Sequence, residues 1–271
     1  MRVKKIFPLL FSLLLCAAVF SGCSSNSTQN KQNEVNGAFA EAVEKFKNTT
    51  HAHGTRAMEA SDSSMFNLDF RELFGDEVLS VKWSWDANLD VRENKDGNVI
   101  DYRSPQLVST TLATDSSGTI SEIKTYFPDD GYSYVNTGSR KTKSKQTSEF
   151  VSIYRDFPYL DVAYLEEITL DTDNNKKTFN FKVASPQRDL LTNFYPLDDF
   201  VNKINAIKLV DFGGTLTTDD KSDQVLLTIN IEYKNIKTNE TLKYSQSVNR
   251  SNSTHKLEFP NDLDSYTSSE K

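Results

Sequence analysis

Few side chains in this 271-residue chain have the type and spacing that metal binding requires. His51 and His53 flank Ala52, so in a β-strand both imidazoles would lie on one face and could share an ion. A protein zinc site needs three or four ligands, and only His255 remains as a further imidazole. We therefore interpret the pair as exposed strand histidines and predict no metal, with the metal site left as the alternative.

Motifs for nucleophilic or phosphate chemistry are absent from the sequence, which has no Gly-x-Ser-x-Gly and no Gly-rich phosphate loop. The segment from Asp171 to Asn175 is similar to a calcium loop but lacks the Gly and the trailing Glu of an EF-hand, so it predicts a hairpin turn. Acidic residues are too numerous for one carboxylate pair to stand out. We expect neither an enzyme nor a cofactor.

The N-terminal segment has the pattern of a secretory signal. Positive residues at Arg2, Lys4 and Lys5 precede an apolar run, Ile6 to Phe20, that is shorter than the roughly 20 residues needed to span a bilayer. Small residues then lead to Cys23, which is one of 2 cysteines; the other lies inside the apolar run. After cleavage Cys23 would have no disulfide partner.

The segment Val19-Phe20-Ser21-Gly22-Cys23 resembles the lipobox of bacterial lipoproteins, with Phe20 in place of the usual Leu. The resemblance implies that a diacylglyceryl group is attached to the Cys23 thiol and that residues 1–22 are removed as a lipoprotein signal peptide. The mature chain would then be anchored to the outer face of the cell membrane, because two acyl chains give stable anchoring. A plain signal peptide with an incidental Cys23 is the alternative.

Charge excludes one class of partner. Without Arg2, Lys4 and Lys5, the 31 basic residues become 28 against 38 acidic ones. So acidic a chain is not expected to bind nucleic acid, which requires a basic surface.

Heavy use of Asn, Lys, Ser and Thr is typical of the proteins of a low-GC bacterium. We expect the chain to be a monomer.

Residues 23–36 are polar and predict a disordered tether, because they cannot bury enough apolar surface to fold. Residues 37–266 predict a single domain, and residues 267–271 a frayed tail. Within the domain, Phe39, Ala42, Val43 and Phe46 have helical spacing and predict a helix from about Val35 to Asn48.

Period-two alternation then dominates. Val81, Trp83, Trp85, Ala87, Leu89 and Val91 would occupy one face of a long strand, with Lys95–Asn98 as a hairpin turn. Similar alternation predicts further strands: 99–102, 106–113, 119–127, 132–136, 162–170, 177–184, and two after residue 224. Helices are predicted near Ser144–Arg155 and Gln187–Ile207.

Many antiparallel strands with few helices predict an α+β fold, because strands and helices do not alternate as they do in a doubly wound sheet. We expect a strongly curved antiparallel sheet, a half-barrel, whose concave apolar face is covered by a few helices.

The order of these elements resembles the LolA, LolB and LppX-like half-barrel lipid carriers. The resemblance includes the helix of Ala-Phe-Ala-Glu-Ala-Val type, the entry into a strand at Thr55–Met58, the hairpin Asp130–Gly138 and a closing strand at Phe259–Leu263. It implies an apolar cavity for a lipid or another hydrophobic ligand. Candidate lining residues on the alternating faces are Trp83, Trp85, Phe179, Phe181, Ile229 and Ile231.

Two other functions remain open at this point. One is a cell-envelope interaction protein whose half-barrel is filled by its own side chains, and the other, which the strand-rich pattern disfavours, is a transporter solute-binding subunit. The basic run Arg140–Lys145 predicts a solvated turn and helix start, with contact to an anionic head group or wall polymer as the functional alternative.

Overall fold

A computed structural model describes residues 26–93, 99–145, 160–184, 207–253 and 255–268. Residues 1–34 and Val35–Lys271 form separate compact units, and the sheet lies in the second. Among the described residues, no helix combines the length and apolar character that crossing a membrane requires.

The second unit is built on one curved, unclosed sheet of 12 strands. Its strands are β1 His51–Ala60, β2 Val78–Glu93, β3 Val99–Asp115, β4 Ile120–Phe127, β5 Tyr132–Asn136, β6 Lys141–Lys145, β7 Leu165–Asp173, β8 Lys176–Val183, β9 Ile207–Asp219, β10 Val225–Asn235, β11 Thr241–Ser251 and β12 Thr267–Ser268. The predicted α+β half-barrel class is confirmed.

The spatial order of the strands is β12-β6-β5-β4-β3-β2-β1-β11-β10-β9-β8-β7. Strands β1 to β6 therefore form one antiparallel meander and β7 to β11 a second. The two meanders are joined in the middle of the sheet, where β1 pairs antiparallel with β11 from His51↔Ser251 to Ala60↔Leu242. We call this β1–β11 pairing the central seam.

Two α-helices are described. Helix α1, Asn26–Lys47, buries the predicted face of Phe39, Ala42, Val43 and Phe46 against the sheet. It begins before the predicted start near Val35, so it includes residues 26–36 of the segment assigned to the tether. Helix α2, Leu68–Phe74, was not predicted; Asn67 caps it by accepting a hydrogen bond from the Phe70 N–H at 2.7 Å.

Alternation along the strands places the core on one face of the sheet. In β10, the buried residues are Val225, Leu227, Ile229, Ile231 and Tyr233, with the intervening residues more accessible. The same period-two pattern holds in β8, β2 and β11. We call this apolar side the core face and the other side the outer face.

Several predicted elements need correction. Strand β9 begins at Ile207, where the predicted helix was expected to end, and residues 208–219 were not predicted as a strand. Strand β3 is one strand rather than two. The basic run is strand β6, not a turn and helix start, and Thr267–Ser268 of the predicted frayed tail pair in parallel with β6. Phe259–Leu263 is not a closing strand, because this segment has no strand pairing and leads into a 3₁₀ turn.

Other predictions fall outside the described residues. These are the signal peptide 1–22, Cys23, the turn at Lys95–Asn98, and most of the helices predicted at Ser144–Arg155 and Gln187–Ile207.

Candidate functional site

All six predicted lining residues lie on the core face. Gly214 of β9 is the register partner of both Phe181 and Ile229, so these side chains form a row across three strands. Five of the six are buried: Trp85, Phe179, Phe181, Ile229 and Ile231. Trp83 is partly exposed and packs at the margin of the core.

Helix α1 covers the β8 side of the core face. The ring of Phe39 lies 5.7 Å from the ring of Phe179 and 5.9 Å from that of Phe181, both with edge-to-face geometry. Such contacts are typical of a packed aromatic core. Phe179 and Phe181 therefore contribute to the stability of the fold in this structure.

A different arrangement surrounds Trp83. The guanidinium of Arg56 lies 5.9 Å from the ring centroids of Trp83 and Trp85 and 5.6 Å from that of Tyr244. Phe70 of α2 lies 6.4 Å from Trp83. We call these five residues the Trp83 cluster.

The sequence analysis did not identify Arg56 as a core-face residue, because a charged side chain is normally assigned to the surface. In β1 it follows Ala52 and Gly54 and precedes Met58 at period two, so alternation assigns it to the core face, where it is 7 % exposed. Three aromatic rings around one cation stabilise it electrostatically. The cluster thus combines a large apolar surface with one buried positive charge.

Two more polar residues of the core face belong to β11. Gln246 accepts a hydrogen bond from the Tyr244 hydroxyl at 2.7 Å. Arg250, which is fully buried, stacks 4.6 Å from the centroid of the Phe46 ring and donates to the Phe46 carbonyl oxygen at 2.9 Å. Arg250 therefore holds the end of α1 against the sheet.

The outer face contains an open groove with a volume of about 380 Å³. Small side chains line much of it, including Thr55, Ala57 and Ser84, which alternate with the core-face residues of β1 and β2. Of the six predicted lining residues, Trp83 alone borders this groove.

All three histidines of the chain meet at one carboxylate. Nitrogen atoms of His51, His53 and His255 lie 3.0, 3.8 and 3.4 Å from oxygen atoms of Asp86, and the rings of His51 and His255 are 4.8 Å apart. The prediction that His51 and His53 share a face is confirmed by their strand register, but only His53 is exposed as predicted, because His51 is buried.

Strand β6 carries the basic run beside a group of tyrosines on the outer face. Lys143 lies 5.5 Å from the Tyr132 ring centroid, and Lys141 pairs with Asp262. The hydrogen bond between the latter two raises the pKa of Lys141 and lowers that of Asp262. Within the chain, Lys141 is thus paired with a carboxylate and Lys143 lies against an aromatic ring.

Tyr134 is the most strongly perturbed of these groups. Burial, together with the hydrogen bond that its hydroxyl donates to Asp130 at 2.6 Å, raises its pKa to about 12. Burial also raises the pKa of Tyr266, whose ring packs edge-to-face at 5.5 Å from Tyr134. Neutral phenols therefore pack this outer-face cluster at physiological pH.

The acidic turn at Asp171–Asn175 belongs to the β7–β8 hairpin, as predicted, with Asn174 in the left-handed region at φ 54°. Asn174 tolerates that conformation well, which suits it to a tight turn. Asp171 accepts a hydrogen bond from the Asn180 side chain. Asp171 and Asp173 lie at the end of strand β7, and the turn itself is formed by Asn174 and Asn175.

Comparison with known proteins does not assign a family. No family model matches the chain, and no curated protein matches it. Among solved structures, the chain is similar to LprF from Mycobacterium bovis, with TM-score 0.37 and 11% identity over 84% of this chain and 97% of that one. It is also similar to a DUF1329 family protein from Desulfovibrio piger, with TM-score 0.25 and 8% identity over 85% and 98% of the two chains.

Proposed function

We propose that this chain is an extracytoplasmic lipoprotein that is held at the outer face of the cell membrane through Cys23. There it binds a lipid or another hydrophobic molecule, without a covalent step, at the Trp83 cluster. The observation that carries the proposal is the partial exposure of Trp83 at the margin of an otherwise buried apolar face.

The physical argument starts from the surface that Trp83 presents. An indole is the largest apolar side chain, and leaving it partly exposed forgoes stabilisation of about 25 cal/mol for each Å² of apolar surface. Trp83 is next to Phe70, Trp85 and the ring-enclosed Arg56. An acyl chain laid against this surface would recover about 0.8 kcal/mol per buried methylene.

The chain contains 2 tryptophans, so intrinsic fluorescence can report on this site directly. Trp83→Phe leaves buried Trp85 as the single fluorophore, and Trp85→Phe leaves Trp83. The protein from Ser24 onward, which lacks the lipidated cysteine, is titrated with a dibrominated fatty acid, whose bromines quench indoles that they contact. The same fatty acid without bromine is the control.

Saturable quenching that is strong in Trp85→Phe and weak in Trp83→Phe supports the proposal. Equal quenching in both variants would contradict binding at the partly exposed surface of Trp83, and an absence of quenching in both would refute binding at the cluster. Native mass spectrometry of the protein purified from its host then gives the mass of any co-purifying ligand.

A second function is favoured by a separate observation. Five of the six predicted lining residues are buried within the protein, and Phe39 packs directly on two of them. Such packing is expected of an envelope interaction protein with a self-filled half-barrel. A ligand-free mass with no fatty-acid uptake would support this function instead.

A further inference from the structure

The geometry around Asp86 points to a site for a divalent transition-metal ion, with Zn²⁺ as the first choice. We propose that His51, His53, His255 and Asp86 ligate one such ion on the outer face, where the central seam and β2 meet the segment after β11. Imidazole and carboxylate are ligands that zinc accepts, and three histidines with one carboxylate complete a four-coordinate set.

The donor atoms are gathered around one carboxylate. Zinc bonds of about 2.0–2.1 Å in tetrahedral geometry place neighbouring ligand atoms about 3.3 Å apart. The three nitrogen–oxygen separations at Asp86 are 3.0 Å to Oδ1 and 3.4 and 3.8 Å to Oδ2. The imidazoles therefore lie near the carboxylate but around two different oxygen atoms, so they do not yet share one centre.

The contact between His51 and Asp86 is not a satisfied hydrogen bond. Nε2 of His51 lies 3.0 Å from Oδ1 of Asp86 without a hydrogen bond between them. Within the described part of the chain, this buried carboxylate oxygen accepts no hydrogen bond. A buried carboxylate oxygen without a donor is costly, and a cation would satisfy it.

Two ligands are held in place and two can adjust. The side chains of His51 and Asp86 are 10% and 27% exposed, whereas those of His53 and His255 are 59% and 54% exposed. As placed, no group of three donors among the described residues is set to hold an ion. Binding therefore requires the two exposed imidazoles to rotate about their side-chain bonds toward Asp86.

The backbone that carries His255 is already positioned. The Asn88 side chain donates one hydrogen bond to the His255 carbonyl oxygen at 3.1 Å and another to Gln106 at 2.9 Å. Asn88 is also the register partner of His51 on β1. The same amide thus holds the segment after β11 beside the strand pair that contains the other three ligands.

The test uses the full chain, extracted in a non-ionic detergent, freed of metal with a chelator and titrated calorimetrically with ZnCl₂. Co²⁺ serves as a spectroscopic probe, because tetrahedral cobalt gives intense visible absorption. We expect one ion per chain and a tetrahedral cobalt spectrum. At 100-fold excess over Kd, zinc should raise Tm by about 5 °C or more.

His53→Ala and His255→Ala remove exposed ligands with little effect on the fold, which thermal unfolding without zinc checks. Each should weaken zinc binding by at least about tenfold, since even outer partners of metal ligands are worth 10- to 100-fold. Glu59→Gln is the matched control, because Glu59 is an exposed carboxylate on the same strand and the same outer face as His51. It should bind zinc as the native chain does.

No zinc uptake at stoichiometric concentrations would overturn the proposal. Equal zinc affinity of the native chain and both histidine variants would do so as well. In either case the four residues would be a structural cluster of close polar contacts that fixes the segment after β11. Because the readout is metal binding, the outcome is independent of whether the Trp83 cluster binds a hydrophobic ligand.

Discussion

Gly54 lies so close to the Trp85 ring that an added side chain would collide with it. A Cβ built on Gly54 would lie 2.1 Å from Cζ2, 2.4 Å from Cε2 and 2.7 Å from Cη2 of Trp85. Carbon atoms pack best at about 3.5–4.0 Å, so the indole would have to move by more than about 1 Å. Trp85 is 4% exposed, and its surroundings leave little room for that shift.

We therefore expect Gly54→Ala to lower the free energy of unfolding by about 1–3 kcal/mol, the usual cost of overpacking a core. For a domain of this size, that corresponds to a fall in Tm of about 2–10 °C. Equilibrium unfolding in urea, followed by circular dichroism, measures the change. The same substitution at Gly37 is the control, because an added Cβ there meets nothing within 4 Å.

Gly37→Ala should act in the opposite direction and raise stability by about 0.5–1 kcal/mol, since alanine is the better helix former in α1. A double-mutant cycle identifies the cause at Gly54. In a Trp85→Phe background, which lacks the clashing six-membered ring of the indole, Gly54→Ala should cost at least about 0.5 kcal/mol less. An unchanged cost in that background, or a neutral Gly54→Ala, would contradict the packing argument.

Three further changes test other parts of the molecule. Arg250→Ala should destabilise the fold by about 2–5 kcal/mol, measured by urea unfolding, because it removes the buried hydrogen bond to the Phe46 carbonyl oxygen and opens a cavity; a loss below about 1 kcal/mol would contradict this. Asn67→Ala should cost about 1 kcal/mol through loss of the α2 N-cap, with Asn67→Asp nearly neutral as the control. Tyr134 stays neutral in the fold up to a pKa of about 12, so its contribution to stability is present below pH 10 and is lost as the pH rises through 12; ultraviolet titration of Tyr134→Phe should lack one phenol that ionises near pH 12, and an unchanged titration would refute the assignment.

Strong alternation made most of the sheet predictable. The apolar face of β2 and the clean period of β10 identify those strands, and both are present in the structure. Strand β9 escaped prediction because Gly213 and Gly214 interrupt its pattern. The structure explains Gly214: a Cβ there would lie 2.1 Å from the Thr228 carbonyl oxygen, so the crowded position excludes a side chain.

The buried arginines and the histidine group were harder to predict for a different reason. Arg56 and Arg250 are charged, so hydropathy assigns them to the surface, although alternation places both on the core face. His255 joins His51 only because β1 pairs with β11, and no local pattern reports a contact over so long a stretch of chain. The basic run was misassigned because lysines at alternating positions are also typical of an exposed edge strand.

Because of the central seam, strand β1 can complete its pairing only after β11, one of the last strands in the chain, is available. His51 pairs with Ser251, so β1 cannot be covered on that side until nearly the whole chain is available. Each meander can form from contacts between neighbouring strands, whereas the seam requires the closure of a long loop, which is slow. During synthesis, β1 through β6 would emerge first with one β1 edge unpaired. The exposed side chains of His53, Thr55 and Glu59 make that edge less adhesive until β11 arrives and completes the sheet.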